Sequence, residues 1–211
     1  MPNNDGIVHV IDDDAAMRES LAFLFKSAKV PVKSYESATA FLANLPQAEG
    51  GCVVTDVRMP GMSGLELLKR LREMKNSIPV IVITGHGDVP LAVEAMKYGA
   101  SDFLEKPFDD DLLLASVRSA LSEQAAVQEV VEARSAIKQR LSLLSTRERQ
   151  VLDGLIAGQP NKTIAYELGI SPRTIEIYRA NVMTKMEASS LSELVRMALT
   201  ADILGQTKSK P

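Results

Sequence analysis

The chain has 211 residues, with 24 Lys and Arg against 27 Asp and Glu, a net charge of −3 at pH 7 and a mean hydropathy of +0.01. That length suits two domains that each bury a core, and no apolar run is long enough to cross a bilayer, which argues against a membrane protein. The start, Met1 to Gly6, lacks the basic and apolar stretches of a signal peptide, and the one cysteine, Cys52, reads as a small buried hydrophobe in a reduced, cytoplasmic setting.

Ile7 to Ile11 reads as a buried strand ending in Asp12-Asp13-Asp14. An amphipathic helix follows, with Met17, Leu21, Leu24 and Phe25 on one face, ending near Lys29. Val30-Pro31-Val32 is a weak second strand, and Ser37 caps a helix through Leu45. Cys52 to Thr55 is a third strand, delivering Asp56 to the point where β-branched residues give way to Met59-Pro60-Gly61-Met62-Ser63-Gly64. Alone, Asp56 could merely turn the chain. Gly64 to Met74 repeats Leu65, Leu68 and Leu71 as a helix face; Pro79 to Thr84 is a fourth strand, Val89 to Tyr98 a helix, and Asp102 to Glu105 a fifth strand closed by Lys106-Pro107. Strand and helix alternate five times, which predicts an α/β fold with a doubly wound, five-stranded parallel sheet.

Side chains at strand C-termini converge on one edge of such a sheet, making Asp12, Asp13, Asp56, Thr84 and Lys106 candidate neighbours. Three carboxylates in one small site repel, and a divalent cation with oxygen ligands relieves them; Mg²⁺ (or Mn²⁺) leaves room for a phosphoryl oxygen. No His or Cys cluster has zinc spacing. An aspartate beside such an ion, a hydroxyl and an ammonium has the parts that phosphoryl transfer requires.

Asp109-Asp110-Asp111 suits the first turn of a helix. From Leu112 to about Arg140 the chain favours helix without Pro or Gly, either one long helix or a helix fraying into a linker; the residues leave both open. Ser145 and Glu148 form a capping box ahead of Val151, Leu152, Leu155 and Ile156, and Gly158-Gln159-Pro160 stops that helix. Asn161 caps a short helix from Thr163 to Leu168, Gly169-Ile170-Ser171 makes a tight turn, and Pro172 opens another helix ending near Met186. This is helix-turn-helix spacing, although a plain helical hairpin shares it. Residues 1–140 carry 15 basic and 20 acidic side chains, whereas residues 141–211 carry 9 and 7, a bias that permits nucleic-acid binding.

With these motifs in place, residues 7–122 resemble the receiver domain of a two-component response regulator, with its flavodoxin-like (CheY-like) fold. The resemblance implies that Asp56 accepts phosphate from a sensor histidine kinase. It also implies that Asp12 and Asp13 form an acidic pocket, with Asp13 and the Arg58 backbone carbonyl as metal ligands beside Asp56. Thr84 and Lys106 would bind the phosphoryl group, Lys106-Pro107 would be a cis peptide, and Phe103 would hold the aromatic switch position. The loop Gly85-His86-Gly87-Asp88 would move on phosphorylation, His86 bonding backbone. Val89 to Glu105, with Val93, Met96 and Lys97, would form the receiver dimer face.

Leu144 to Leu199 resembles the LuxR-type helix-turn-helix domain through Leu144-Ser145-x-Arg147-Glu148-x-x-Val151-Leu152, Asn161-Lys162-x-Ile164-Ala165 and Ser171-Pro172-Arg173-Thr174-Ile175-Glu176. The likeness makes Thr174 to Met186 a recognition helix in the major groove. Lys162, Arg173, Thr174, Arg179, Asn181 and Lys185 are suited to phosphates, while Glu176, Ile177 and Ala180 would face base edges. Tyr178 stands where relatives commonly carry His. Ile164, Leu168, Ile175, Val182 and Met186 are core, Ser190 to Ala201 is a last helix, and Gly205 to Pro211 is a frayed tail.

The expected layout is a receiver at 1–122, a helical linker at 123–141 and a DNA-binding domain at 142–211. The whole resembles the FixJ branch of response regulators, notably in Ile83-Thr84-Gly85-His86-Gly87-Asp88-Val89-Pro90 and Ile170 to Met186. That implies a transcription regulator acting on nitrogen-fixation or microaerobic genes, with a haem-based oxygen-sensing kinase, promoter DNA and RNA polymerase as partners. It also implies a homodimer on phosphorylation and no enzymatic activity beyond slow self-dephosphorylation. Two other classes remain open: a haloacid-dehalogenase-like phosphohydrolase using Asp12 and Asp14, and an unphosphorylated scaffold.

Overall fold

The computed structural model describes residues 6–45, 51–85 and 89–201; the expectations for His86 and its loop, and for the tail after Gly205, lie outside the described residues. The chain divides into two units, Met1–Gln128 and Glu129–Pro211.

In the first unit the order is β1 (Val8–Ile11), α1 (Ala15–Ser27), β2 (Val32–Tyr35), α2 (Ala38–Ala43), β3 (Cys52–Asp56), α3 (Gly64–Glu73), β4 (Val80–Thr84), α4 (Val89–Lys97) and β5 (Asp102–Glu105), followed by α5 (Asp110–Ser142). The strands form one parallel sheet in the order β2-β1-β3-β4-β5. Alternate side chains sort to its two faces, as a period of two requires. Val8, Val10, Val54, Ile81 and Ile83 pack with Leu21 and Phe25 of α1 and with Leu113 and Val117 of α5. Ile11, Val53, Val80 and Val82 pack with Phe41 of α2, with Leu67, Leu68 and Leu71 of α3 and with Ala95 of α4. Buried on both faces, β3 and β4 are the continuous apolar runs that the sequence displays.

Two boundaries differ from expectation. The second strand begins at Val32 rather than Val30, because Val30 closes α1 by donating its N–H to the Phe25 carbonyl, and the Pro31 carbonyl serves Val8. With Lys33 and Ser34 exposed on this edge strand, its sequence carries little apolar signal. Helix α2 stops at Ala43, two residues short of Leu45.

Helix α5 is continuous over 33 residues, which answers the question that composition left open. Its first turns bury Leu113, Val117 and Ala120 in the first unit, and its last turns supply Ile137 and Leu141 to the core of the second. That second unit continues with α6 (Thr146–Ile156), α7 (Asn161–Leu168), α8 (Pro172–Met186) and α9 (Leu191–Thr200) around Val151, Leu152, Ile164, Ile175, Val182, Met186 and Leu194. The Ser145–Glu148 capping box forms as read. The start of α7 does not: Pro160 takes the N-cap position, its carbonyl accepting from Thr163 and Ile164, so Asn161 becomes the first helical residue and caps nothing. Gly169 ends α7 at φ 67°, a left-handed turn that a Cβ would oppose, and Pro172 starts α8.

Candidate functional site

The register of the sheet brings the ends of its strands level: Ile11 pairs with Thr55, Asp56 with Ile83 and Thr84 with Glu105. Asp12, Asp56 and Thr84 therefore meet at the C-terminal edge, exposed by 2%, 8% and 1%, deep enough to shed most of their water. Lys106 reaches in from the end of β5. Its Nζ donates to Asp56 Oδ1 at 2.7 Å and to Asp12 Oδ2 at 3.2 Å, while its backbone N–H donates to the Thr84 carbonyl at 2.7 Å. The Lys106–Pro107 peptide is cis.

The other oxygens are also held. Asp56 Oδ2 accepts from the Arg58 N–H at 2.6 Å, and Asp12 Oδ1 from the Asp14 N–H at 2.9 Å. Arg18 Nη1, from the second turn of α1, donates to the Asp12 carbonyl at 2.7 Å. Burial raises the Asp12 carboxyl above its ordinary value, against the pull of the Asp14 N–H and of Lys106. For Lys106 burial acts to lower the pKa, but the hydrogen bond to Asp56 and the charges of Asp12 and Asp56 outweigh it and hold the ammonium above the ordinary lysine value.

Asp13 does not join this group. It is exposed, and among the described residues no three His, Cys, Asp or Glu side chains converge closely enough to hold a metal ion. The expectation of three clustered carboxylates is corrected to two, because the Lys106 ammonium draws Asp12 and Asp56 together and supplies their counter-charge. The donor set still fits Mg²⁺, which takes one or two carboxylates and completes its shell with water, carbonyl and phosphoryl oxygens. Asp14 spends its carboxylate on the Ala16 N–H at the exposed start of α1, so the phosphohydrolase alternative finds no general acid at this site. Phe103 is half-buried against the core under α2, α3 and α4, while Val93, Met96 and Lys97 are exposed on α4.

In the second unit, Arg173, Glu176, Ile177, Ala180 and Asn181 are exposed on α8, opposite the buried Ile175, Val182 and Met186. Lys162 is exposed on α7 and Arg179 half-exposed on α8. Thr174 donates its N–H to the Ser171 hydroxyl and shares a 2.8 Å hydroxyl contact with it, so it is partly used in capping. Tyr178 packs its ring against the core rather than standing on the outer face. Lys185 differs from expectation: its Nζ donates to Glu148 Oε2 at 2.7 Å and to the Leu143 carbonyl at 3.2 Å, tying α8 to the start of α6. The Lys185 ammonium, with the Ser145 N–H, holds the buried Glu148 carboxyl below the ordinary glutamate value.

Two features escaped sequence reading: the Arg18 grip on Asp12 and the Lys185–Glu148 pair. Five residues lie between Asp12 and Arg18, and that spacing on a helix beginning at an acidic loop was the available signal for the first.

Residues 8–118 match the model of the response regulator receiver domain, and residues 142–198 match that of the bacterial regulatory proteins of the luxR family. The transcriptional regulatory protein FixJ of Azorhizobium caulinodans is 60% identical over 204 residues, 97% of each chain, and FixJ of Rhizobium meliloti is 54% identical over 92% of this chain and 96% of its own. Among solved structures, the response regulator StyR aligns with a TM-score of 0.86 at 41% identity, covering 92% of this chain and 98% of its own; full-length FixJ from B. japonicum aligns at 0.58 with 57% identity, covering 94% and 98%. Proteins of this family receive phosphate from a histidine kinase, act on promoter DNA and generally bind Mg²⁺ at the phosphorylation site. Among the described residues no helix is long and apolar enough to cross a membrane. A receiver joined to a LuxR-type DNA-binding domain, on a chain this similar to FixJ throughout, makes the protein a member of the FixJ-like response regulators, transcription regulators activated by phosphorylation.

Proposed function

We propose that Asp56 is the phosphoacceptor. The observation that carries this is the convergence of Asp56 and Asp12 on the Lys106 ammonium at the C-terminal edge of the sheet. An oxygen of Asp56 attacks the phosphorus of the kinase phosphohistidine; the P–N bond breaks, the O–P bond forms, and the released imidazole takes up a proton. Because Oδ2 is fixed by the Arg58 backbone while Oδ1 is held only by a side chain, Oδ1 is the attacking oxygen and Lys106 passes to a phosphoryl oxygen as the bond forms. Asp12, Asp56, the Arg58 carbonyl and, once its side chain turns inward, Asp13 would hold Mg²⁺ or Mn²⁺, which would supply neutralising charge to the phosphoryl oxygens. Self-dephosphorylation is slow.

Thr84, buried at the same edge, takes another phosphoryl oxygen, and its inward movement with Lys106 draws on the segment between them, with Phe103 following by burial. Two receivers then pair through Val93, Met96 and Lys97, and their second units reach half-sites about one DNA turn apart. Arg173, Arg179, Asn181, Thr174 and Lys162 meet phosphates, while Glu176, Ile177 and Ala180 read base edges. The similarity to FixJ supports a cytoplasmic setting, a haem-based oxygen-sensing kinase, a meeting with RNA polymerase at the promoter, and nitrogen-fixation or microaerobic target genes. It also supports the layout of a receiver at 1–122, a linker at 123–141 and a DNA-binding domain at 142–211.

Incubation with acetyl phosphate and Mg²⁺, followed by mass spectrometry, tests the central step. One phosphoryl group on Asp56, lost in Asp56→Asn, is the expected result. Modification at Asp12 instead, or Asp56→Asn with unchanged dimerisation and DNA binding after treatment, overturns it.

A further inference from the structure

We propose that Gly64 is a positioning residue for phosphoryl capture, an inference that rests on Asp56 being the phosphoacceptor. Gly64 is the buried first residue of α3, fixed there by the Ser63–Glu66 capping box, and its N–H donates to the Val57 carbonyl at 3.0 Å. The helix thus starts flush against the peptide that carries Asp56. A Cβ on Gly64 would overlap the Asp56 carbonyl oxygen and stand 3.0 Å from both the Asp56 carbonyl carbon and Thr55 Cγ2.

None of these neighbours can step aside at small cost. Asp56 ends a strand paired on both sides, Val57 donates onward to the Ile83 carbonyl at 2.9 Å, and Thr55 is fully buried with its hydroxyl on the Asp56 carbonyl at 3.1 Å. Nor can α3 retreat, since Leu65, Leu67, Leu68 and Leu71 anchor it in the core. The displacement falls on the Asp56–Val57 peptide, and so on a carboxylate whose placement is set by the Arg58 N–H at 2.6 Å and Lys106 Nζ at 2.7 Å. An in-line transfer is sensitive to such a shift: a misplacement of about 1 Å costs on the order of a hundredfold in rate, and a few tenths of an ångström about tenfold. Gly61, in the same loop, serves as the control. It has φ +79° and nothing within 4 Å of an added Cβ, so alanine there strains the turn without touching Asp56.

The test uses the full chain with acetyl phosphate as donor, the initial rate read against donor concentration, and the ¹⁹F spectrum recorded with beryllofluoride and Mg²⁺. In Gly64→Ala the maximal rate falls about tenfold at nearly constant half-saturating donor, and the bound fluoride resonances move; Gly61→Ala keeps the parental values of both. The double variant Gly64→Ala/Thr55→Ser, which loses the Thr55 methyl but keeps the overlap with the Asp56 carbonyl, recovers at most a minor part of the thermal stability and none of the rate. Rate returning in step with stability, equal losses in both single glycine variants, or parental rate and spectrum in a folded Gly64→Ala overturn the proposal. A parent chain that takes no phosphate at Asp56 overturns the prior reading instead.

Discussion

The Lys106 ammonium lies 2.7 Å from the Asp56 carboxylate although fifty residues separate them, and the same nitrogen reaches Asp12 at 3.2 Å. The lysine therefore supplies in this state the neutralisation that a bound divalent cation would otherwise supply. Replacing it by methionine removes the competitor and leaves two buried carboxylates facing each other. Mg²⁺ affinity should rise at least about tenfold in Lys106→Met, measured by NMR titration, because even with the screening of bulk water a unit charge about 4 Å from a divalent ion contributes about 2 kcal/mol. Phosphorylation of Asp56 should become slower all the same, since the phosphoryl oxygens lose their partner. Unchanged or weaker Mg²⁺ binding would count against the competition.

His9 gives the receiver a defined response to acid. The ring is 1% exposed between Tyr35 and Phe41, Nδ1 is 3.2 Å from the Tyr35 hydroxyl, and Nε2 has no hydrogen-bond partner among the described residues. Burial, aided by the nearby charge of Lys33, pushes its pKa from 6.5 to about 4. Between those values the unfolded chain binds a proton that the folded chain refuses, so stability is whole above pH 6.5 and declines as pH falls toward 4, by about 3 kcal/mol in all. Denaturant unfolding at pH 7, 5.5 and 4.5 should show this loss in the parent relative to His9→Phe, which keeps the ring and drops the titration. Parallel curves for the two proteins would refute the assignment.

How far the site could be read in advance depended on what each residue's role shares with its neighbours in sequence. Asp56, Asp12, Thr84 and Lys106 were legible because a parallel sheet sends every strand end to one edge, whatever the loops between do. Asp13 stands outside the group in this state, and charge pattern cannot tell which of two adjacent carboxylates faces inward while a lysine supplies the counter-charge. Arg18 was invisible for a related reason, since nothing in helical periodicity says that a side chain in the second turn reaches back to the loop before it. Lys185 looked like a phosphate contact because an ammonium on a recognition helix has the same spelling whether it meets DNA or Glu148. The edge strand β2 was shifted by two residues because Lys33 and Ser34 face water, and the cap of α7 by one because proline's carbonyl, not the asparagine side chain, accepts the first bonds.

Gly154 marks where α6 and α7 approach closely. A Cβ there would stand 2.8 Å from Ile164 Cγ1 and 2.9 Å from Gln159 Oε1. Gln159 can swing away, but Ile164 is buried and cannot. Alanine gains up to about 1 kcal/mol in helix propensity and loses about 1–3 kcal/mol to overpacking, so Gly154→Ala should be destabilising by about 1 kcal/mol in the second unit. A melting temperature equal to or above the parent's would show that α7 gives way freely.

The Lys185–Glu148 pair separates residues that hold the DNA-binding unit from those that hold DNA. An ammonium already satisfied by a carboxylate and a carbonyl releases no counterion from a duplex, whereas the exposed Arg173 and Lys162 are free to do so. The salt dependence of promoter binding should therefore lose about one unit of slope in Arg173→Ala or Lys162→Ala and keep the parental slope in Lys185→Ala. Lys185→Ala should act through stability instead, since it strands the Glu148 carboxylate, 4% exposed, against the Ser145 cap alone. The double variant Lys185→Ala/Glu148→Gln, which removes the stranded charge and keeps an acceptor for the cap, should recover most of the lost melting temperature. Fluorescence anisotropy across a salt series, paired with thermal melts of the same proteins, distinguishes the two roles: a slope reduced by one in Lys185→Ala, without loss of stability, would return this residue to the DNA surface.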